Sequence, residues 1–357
     1  MRNGLRILDA DAHVIEPGGL FAEWAPPGTS VLNLPPTTPL VPCGDFDVLA
    51  DQFQHGFDAP SYLRAMDAQG IDAVVLYPSM GLFVPFSKSL SPTESANACR
   101  AYNHWIAGYA GYEPSRMAGV GIVPLADVGL AVTVASEVAS LGLPGVMVRP
   151  NQLYGRNLGD AVYDPLYDAL AGHGLILAVH EGLGVDAPTM GDRFTSFTER
   201  HACSHPMEQM AALLSMFAGG AFERHPDLRV AFLESGTGWL PYWLHRLDEH
   251  REWTEGTESA GLSCSATEYF ARQCIISTDP DDSLFATAIG HVGADHVVWA
   301  SDFPHPDALF PDAADSFLAA ASAQLTPSEL AAVMWETPLS FYRLGSRFGS
   351  GAAITAG

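Results

Sequence analysis

Short, uninterrupted apolar runs alternate with stretches of helical periodicity along most of this chain. The runs fall at 6–11, 71–77, 117–123, 143–149, 175–180, 228–234, 273–277 and 296–301. Most are rich in Val, Ile, Leu or Ala, as expected for strands covered on both faces. Helical periodicity fills the intervals at 61–69, 92–111, 127–141, 164–173, 206–222, 239–250 and 281–290, with Gly or Pro at most boundaries. Eight strands with helices between them predict an α/β fold of the (β/α)8, or TIM barrel, type. Residues 18–60, rich in Pro, Gly and Asp, read as a long loop after the first strand, and 253–268 as a smaller insertion. Helical patterns from 312 and from 328 predict C-terminal helices. The expected organisation is one domain over 1–348 and a flexible tail over 349–357.

An open doubly wound sheet is the competing architecture. It calls for a Gly-rich phosphate loop after an early strand, and neither GxGxxG nor the Walker A pattern occurs. The GxSxG elbow is missing as well, which weighs against a serine nucleophile.

In a (β/α)8 barrel the reacting groups stand where the strands end. Those positions carry Asp9, Asp11 and His13 with Glu16 beyond, then Arg149, His180-Glu181, Glu234, and Asp302 with His305. Burying so many ionisable groups on one rim costs several kcal/mol unless partners or a metal satisfy them. Asp11 and His13 lie two apart on a strand and point the same way. With His180 and Asp302 they make two imidazoles and two carboxylates, an ordinary donor set for one divalent metal ion. Fe²⁺ and Zn²⁺ are expected first and Mn²⁺ after them, the two carboxylates shifting the balance away from zinc. Asp9, deeper in the strand, reads as a support for these ligands.

Composition removes other classes. The chain has 357 residues, 48% of them hydrophobic, enough for a full core. A net charge of −24 would repel nucleic acid and anionic membrane surfaces, which leaves a small molecule as the expected partner. Lys88 is the single lysine, so Schiff-base chemistry has one candidate. The five cysteines are scattered and form no CxxC, which suits a reducing compartment. No signal peptide or long apolar stretch is visible, and a cytoplasmic protein is expected.

The segments DADAHVIEP, LAVHEG, FLESGTGW and WASDFPHPD, in this order and at barrel-strand spacing, resemble the amidohydrolase-related, decarboxylase-like branch of the amidohydrolase superfamily. The resemblance covers essentially the whole chain. It implies a (β/α)8 barrel with one metal at the strand ends, and a homodimer by analogy. The family's first-strand motif is commonly HxH; here Asp11 takes its first position, as in acidic variants of the branch. Decarboxylase members usually carry a histidine at the end of the sixth strand. Here Glu234 stands in that place, and this turns the expectation toward hydrolysis of an ester, thioester (acyl-CoA included) or amide of an apolar acid. Decarboxylation of an aromatic or unsaturated acid is the alternative, and a metal-containing binding protein without turnover a third.

For hydrolysis, Asp302 resembles the family's strand-eight aspartate and is the expected base, with Glu234 second, or else holding the water or contacting the metal, and His305 placed to assist the leaving group. Glu234 could equally be a buried partner of Arg149. Arg149 is the expected fork for a substrate carboxylate. Tyr77 and Phe83, in the apolar stretch 77–86, are expected in the substrate wall. His201 and His205 lie four apart, a metal-binding spacing on a helix. Pro206 predicts a loop there instead, so His205 reads as a substrate contact.

Overall fold

A computed structural model of the chain describes residues 2, 4–21, 46–83, 87, 90–182, 189–259, 261–305 and 308–349. Most of the long loop, Lys88, residues 84–86 of the apolar stretch and 350–357 of the expected tail lie outside the described residues.

The apolar runs become strands: β1 Leu8–Val14, β2 Ala73–Pro78, β3 Met117–Gly119, β4 Gly121–Ile122, β5 Gly145–Val148, β6 Ile176–Val179, β7 Arg229–Phe232, β8 Cys274–Thr278 and β9 Val297–Trp299. Neighbours pair in parallel in the orders β1-β2-β3 and β4 through β9. β3 and β4 are two halves of one strand parted at Val120, whose N–H still donates to the Leu76 carbonyl at 2.8 Å. The result is a (β/α)8 barrel. All strand residues but Arg229 are buried, which accounts for their apolar, weakly alternating sequence.

The ring closes at the end where the polar residues gather. Asp302 N–H donates to the Asp11 carbonyl at 3.1 Å, and His13 N–H donates to the Phe303 carbonyl at 2.6 Å. Strand β1 carries a bulge here. Asp9 pairs with Val74 and Ala12 with Leu76, so β1 holds one extra residue over this interval. Such an insertion re-aims side chains next to it.

Helices Ala59–Gln69, Pro92–Ala110, Val128–Ser140, Asp164–His173, Phe197–Ala218, Leu240–Trp253 and Phe285–Val292 follow successive strands. Their starts have local causes. Asp58 accepts the Ser61 N–H, and Ser91 with Glu94 closes a capping box. The Phe197–Ala218 helix corrects the expectation at Pro206. It begins nine residues before that proline, on a second capping box of Ser196 and Glu199, and runs through it. An interior proline costs about 3 kcal/mol. Tertiary anchors beyond it offset the loss. Gln209 makes two buried hydrogen bonds, and Leu213, Met216 and Phe217 enter the core.

The insertion at 253–268 ends in a helix, Ala266–Gln273. The C-terminal helices Ala313–Ala321, Pro327–Ala331, Thr337–Phe341 and Gly345–Phe348 pack against the barrel. Just after the third of them, Tyr342 enters the barrel. Its hydroxyl donates to the Ala10 carbonyl at 3.3 Å and lies 2.7 Å from that of Tyr77. No helix among the described residues is long and apolar enough to cross a membrane.

Candidate active site

The expected ligands converge at the barrel mouth. His13 ends β1 and His180 directly follows β6. Each has its Nδ1 fixed by a carbonyl: His13 donates to Pro78 at 2.9 Å, His180 to Glu181 at 2.8 Å. A carbonyl only accepts, so each Nδ1 carries the proton and each Nε2 offers a lone pair. The two Nε2 atoms stand 3.1 Å apart. Around them lie Asp11 Oδ1, at 3.8 Å from His13 Nε2 and 3.6 Å from His180 Nε2, and Asp302 Oδ1, at 3.3 Å from His13 Nε2. Glu234 Oε2 is 2.9 Å from His180 Nε2.

These lone-pair atoms form two overlapping groups that share His13. Asp11 Oδ1 is buried and accepts no hydrogen bond among the described residues. Burial, followed by the charges of Glu234 and Asp302, pushes the Asp11 carboxyl well above its usual range. Burial also holds His13 well below its ordinary value, with His305 and His180 adding to it, which leaves a neutral imidazole suited to ligation. Crowded acceptors of this kind are unfavourable alone and favourable around a cation. The donor set fits a divalent metal ion. Asp11, His13 and His180 offer ligand atoms within 4.8 Å of one another, and so do His13, Glu234, Asp302 and His305.

Neighbouring groups hold this set in place. Asp9 accepts from the Ser301 N–H at 3.0 Å and from its hydroxyl, pinning the turn that carries Asp302. Glu16 accepts from Met80 N–H at 2.9 Å and Gly81 N–H at 2.8 Å, and burial pushes its carboxyl up to about 7. At Gly81 a Cβ would stand 2.8 Å from Pro78 Cβ, so the close approach needs glycine. Both Glu234 and Asp302 have left-handed backbone, with φ of 49° and 58°. The chain turns sharply as it leaves β7 and β9, at a cost of about 1–2 kcal/mol per residue.

Other expected residues fall around this centre. His305 places Nδ1 2.7 Å from Asp302 Oδ1, its Nε2 3.1 Å from Ser79 Oγ, and its ring stacked 4.0 Å from His13. His205 comes in from the Phe197–Ala218 helix, with Nε2 3.2 Å from Glu234 Oε1. Burial alone would depress His205, but the Glu234 carboxylate outweighs it and pushes the imidazole up to about 9. In return the charge of His205 overcomes the burial of Glu234 and holds it well below the usual range. The carboxylate beside Arg149 is Glu181, at 2.8 Å with both side chains fully buried. The partner of Arg149 Nη2 is thus Glu181 and not Glu234. Phe83 packs near Arg149 and Gly182. Tyr77 backs the histidines, its ring 5.9 Å from that of His180 and its hydroxyl turned to Tyr342.

A cavity of about 400 Å³ opens beside the centre, lined by His201, His205, Glu234, Asp279, Asp302 and Leu309 among others. Asp279, directly after β8, is a site residue that the sequence reading missed. Burial and the nearby Asp302 and Glu234 push it up to about 8. It was findable as the polar residue ending the seventh strand. Glu181 was visible only as a neighbour of His180.

The amidohydrolase family profile matches residues 8–344. The chain belongs to the amidohydrolase family. It is an enzyme of that superfamily, and two characterised relatives show which branch it resembles. It is 23% identical over 251 residues, covering 70% of this chain and 67% of the relative, to 2-amino-3-carboxymuconate-6-semialdehyde decarboxylase of Dictyostelium discoideum. It is 24% identical over 256 residues, covering 68% and 76%, to gamma-resorcylate decarboxylase of Rhodococcus jostii. Among solved structures, a dihydroxybenzoic acid decarboxylase from Polaromonas with bound manganese and 2-nitroresorcinol shares the fold. Its TM-score is 0.74 at 17% identity, over 96% of this chain and 98% of that one.

These relatives overturn the hydrolase expectation, thioester substrates included. The argument against a decarboxylase rested on Glu234 standing where a histidine is usual. The structure brings an imidazole beside that position from elsewhere, since His205 meets Glu234 from the helix that precedes β7.

Proposed function

We propose that this amidohydrolase-family enzyme is a metal-dependent, non-oxidative decarboxylase of an aromatic or unsaturated carboxylic acid. The observation that carries the reading is the pairing of Asp302 Oδ1 with His305 Nδ1 at 2.7 Å, beside a centre that fits a cation. A carboxyl able to hold and regain a proton stands next to a place that grips anionic oxygens. The decarboxylase names of both relatives support the same reaction.

Asp11, His13, His180 and Asp302 would hold the metal. When bound, it supplies positive charge for the acid's carboxylate and any neighbouring oxygen. Mn²⁺ is the first choice, because it fits a carboxylate-rich donor set and is the ion in the solved decarboxylase. The chain's own residues do the rest. The Asp302–His305 pair delivers a proton to the carbon that bears the carboxylate. The bond from that carbon to the carboxyl group then breaks, its electron pair returns to the π system, and CO₂ leaves. His305, in contact with Ser79, returns a proton from solvent to Asp302. The cavity of about 400 Å³ accommodates one substituted ring.

The test is CO₂ release from a panel of hydroxy- and amino-substituted benzoic acids and muconic-type acids, with Mn²⁺, Fe²⁺ or Zn²⁺ supplied. Release from any member that ceases in Asp302→Asn supports the reading. No release from any acid with any metal overturns it.

A further inference from the structure

The Phe197–Ala218 helix brings more than one side chain to the site. Gln209 Nε2 donates to the Val179 carbonyl at 2.7 Å and to the Leu233 carbonyl at 2.9 Å. Those residues directly precede His180 and Glu234. One buried amide therefore ties the helix to the ends of β6 and β7 and sets their spacing. One turn earlier, His205 meets Glu234 Oε1 at 3.2 Å. His201, a further turn back, packs its ring 5.1 Å from that of His205. The helix cannot slide past Glu234 without breaking the Gln209 bonds.

Each oxygen of Glu234 thus has one histidine neighbour, and the two contacts differ in kind. His205 can donate its Nε2 proton to Oε1. His180 has its Nδ1 proton on the Glu181 carbonyl, so its Nε2 turns a lone pair toward Oε2 at 2.9 Å. Two acceptors at that distance belong together when a cation lies between them, as with His13 Nε2 and His180 Nε2.

The geometry points to Glu234 as a fifth protein ligand of the metal, held in ligating position by His205. The full set is then Asp11, His13, His180, Glu234 and Asp302. Three carboxylates and five donors suit Mn²⁺ or Fe²⁺ better than Zn²⁺, whose sites are mostly four-coordinate and rich in nitrogen or sulfur. This inference rests on the reading of the centre as a metal site. It decides between the two roles, base or ligand, that the strand-end pattern alone left open for Glu234.

The experiment uses full-length protein and Mn²⁺ alone. Binding is followed by the electron paramagnetic resonance signal of free Mn²⁺. Water molecules on the bound ion are counted from solvent-proton relaxation. Glu234→Ala is expected to bind Mn²⁺ at least about tenfold more weakly and to gain one bound water. Glu234→Gln, which keeps the shape, is expected to lose affinity in the same direction. His205→Ala should weaken binding, and His205→Asn, which restores a donor, should recover part of it. If wild type binds Mn²⁺ and both Glu234 variants keep its affinity and water count, Glu234 is not a ligand while the metal centre stands. If wild type binds no divalent ion, the inference and the metal reading fall together.

Discussion

His13 and His180 face each other Nε2 to Nε2 at 3.1 Å, while both Nδ1 atoms donate to backbone carbonyls. No proton is available to sit between the two lone pairs, so the arrangement gains stability when a cation enters. Free metal at a hundredfold excess over its Kd is expected to stabilise the fold by about 2.7 kcal/mol. Thermal melts with a chelator and with added Mn²⁺ read this directly. In His13→Ala and Asp302→Ala the metal should no longer raise Tm, and elemental analysis of either variant should find the centre empty. A wild type whose Tm ignores both treatments would speak against the centre.

Asp302→Asn keeps the size of the side chain and removes its ability to carry a proton. Its kcat is expected to fall by about 10²–10⁴-fold. His305→Gln should fall less, because solvent can still reach Asp302 slowly through the cavity, and it should retain the metal. Steady-state kinetics beside metal content separate loss of the proton from loss of the ion. Equal losses in the two variants, with metal retained in both, would put the proton on His305 instead.

Gln209 touches neither cavity nor centre, and its removal should still be felt. Gln209→Leu leaves the buried Leu233 carbonyl without its donor, and the Val179 carbonyl with only the Leu233 N–H at 3.1 Å. One unmet buried acceptor costs about 1–3 kcal/mol, so the variant is expected to lose at least about 1 kcal/mol of stability. Denaturant unfolding measures this, and a midpoint equal to wild type would show that helix and strands are held together by packing alone.

Glu16 gives a pH dependence whose sign can be worked out. Its folded carboxyl is pushed up to about 7 by burial, against an ordinary value of 4.5. Between these values the folded state binds more protons than the unfolded chain, so stability is lost as pH rises from about 4.5 to 7. The contribution is about 3 kcal/mol at most. Glu16→Gln cannot titrate and should flatten the fall in Tm over this window relative to wild type. Parallel Tm curves for the two proteins would contradict the shift.

The barrel was legible because parallel strands buried on both faces have to be continuous apolar runs, and all eight runs became strand. Asp11, His13, His180 and Asp302 were legible for a related reason, since a strand's end in a barrel fixes which rim its polar residue joins. What lay on helices and between chain segments was not. Pro206 read as a break because its missing N–H is local, while the Gln209 anchors that outweigh it come from β6 and β7. The capping box at Ser196 and Glu199 did mark the true helix start. Arg149 read as a fork for a substrate carboxylate, and nothing in the order of residues says that Glu181 also turns toward it. Glu234 read as evidence for hydrolysis because His205, twenty-nine residues earlier in the chain, meets it only after folding.

The central claim is that a proton replaces a carboxylate at carbon. It is tested most directly by turning over an accepted acid in D₂O and examining the product by mass spectrometry and NMR. Decarboxylation predicts one deuterium, at the carbon that lost the carboxylate, together with one equivalent of CO₂. A product that keeps its carboxylate and carries no carbon-bound deuterium would contradict the account.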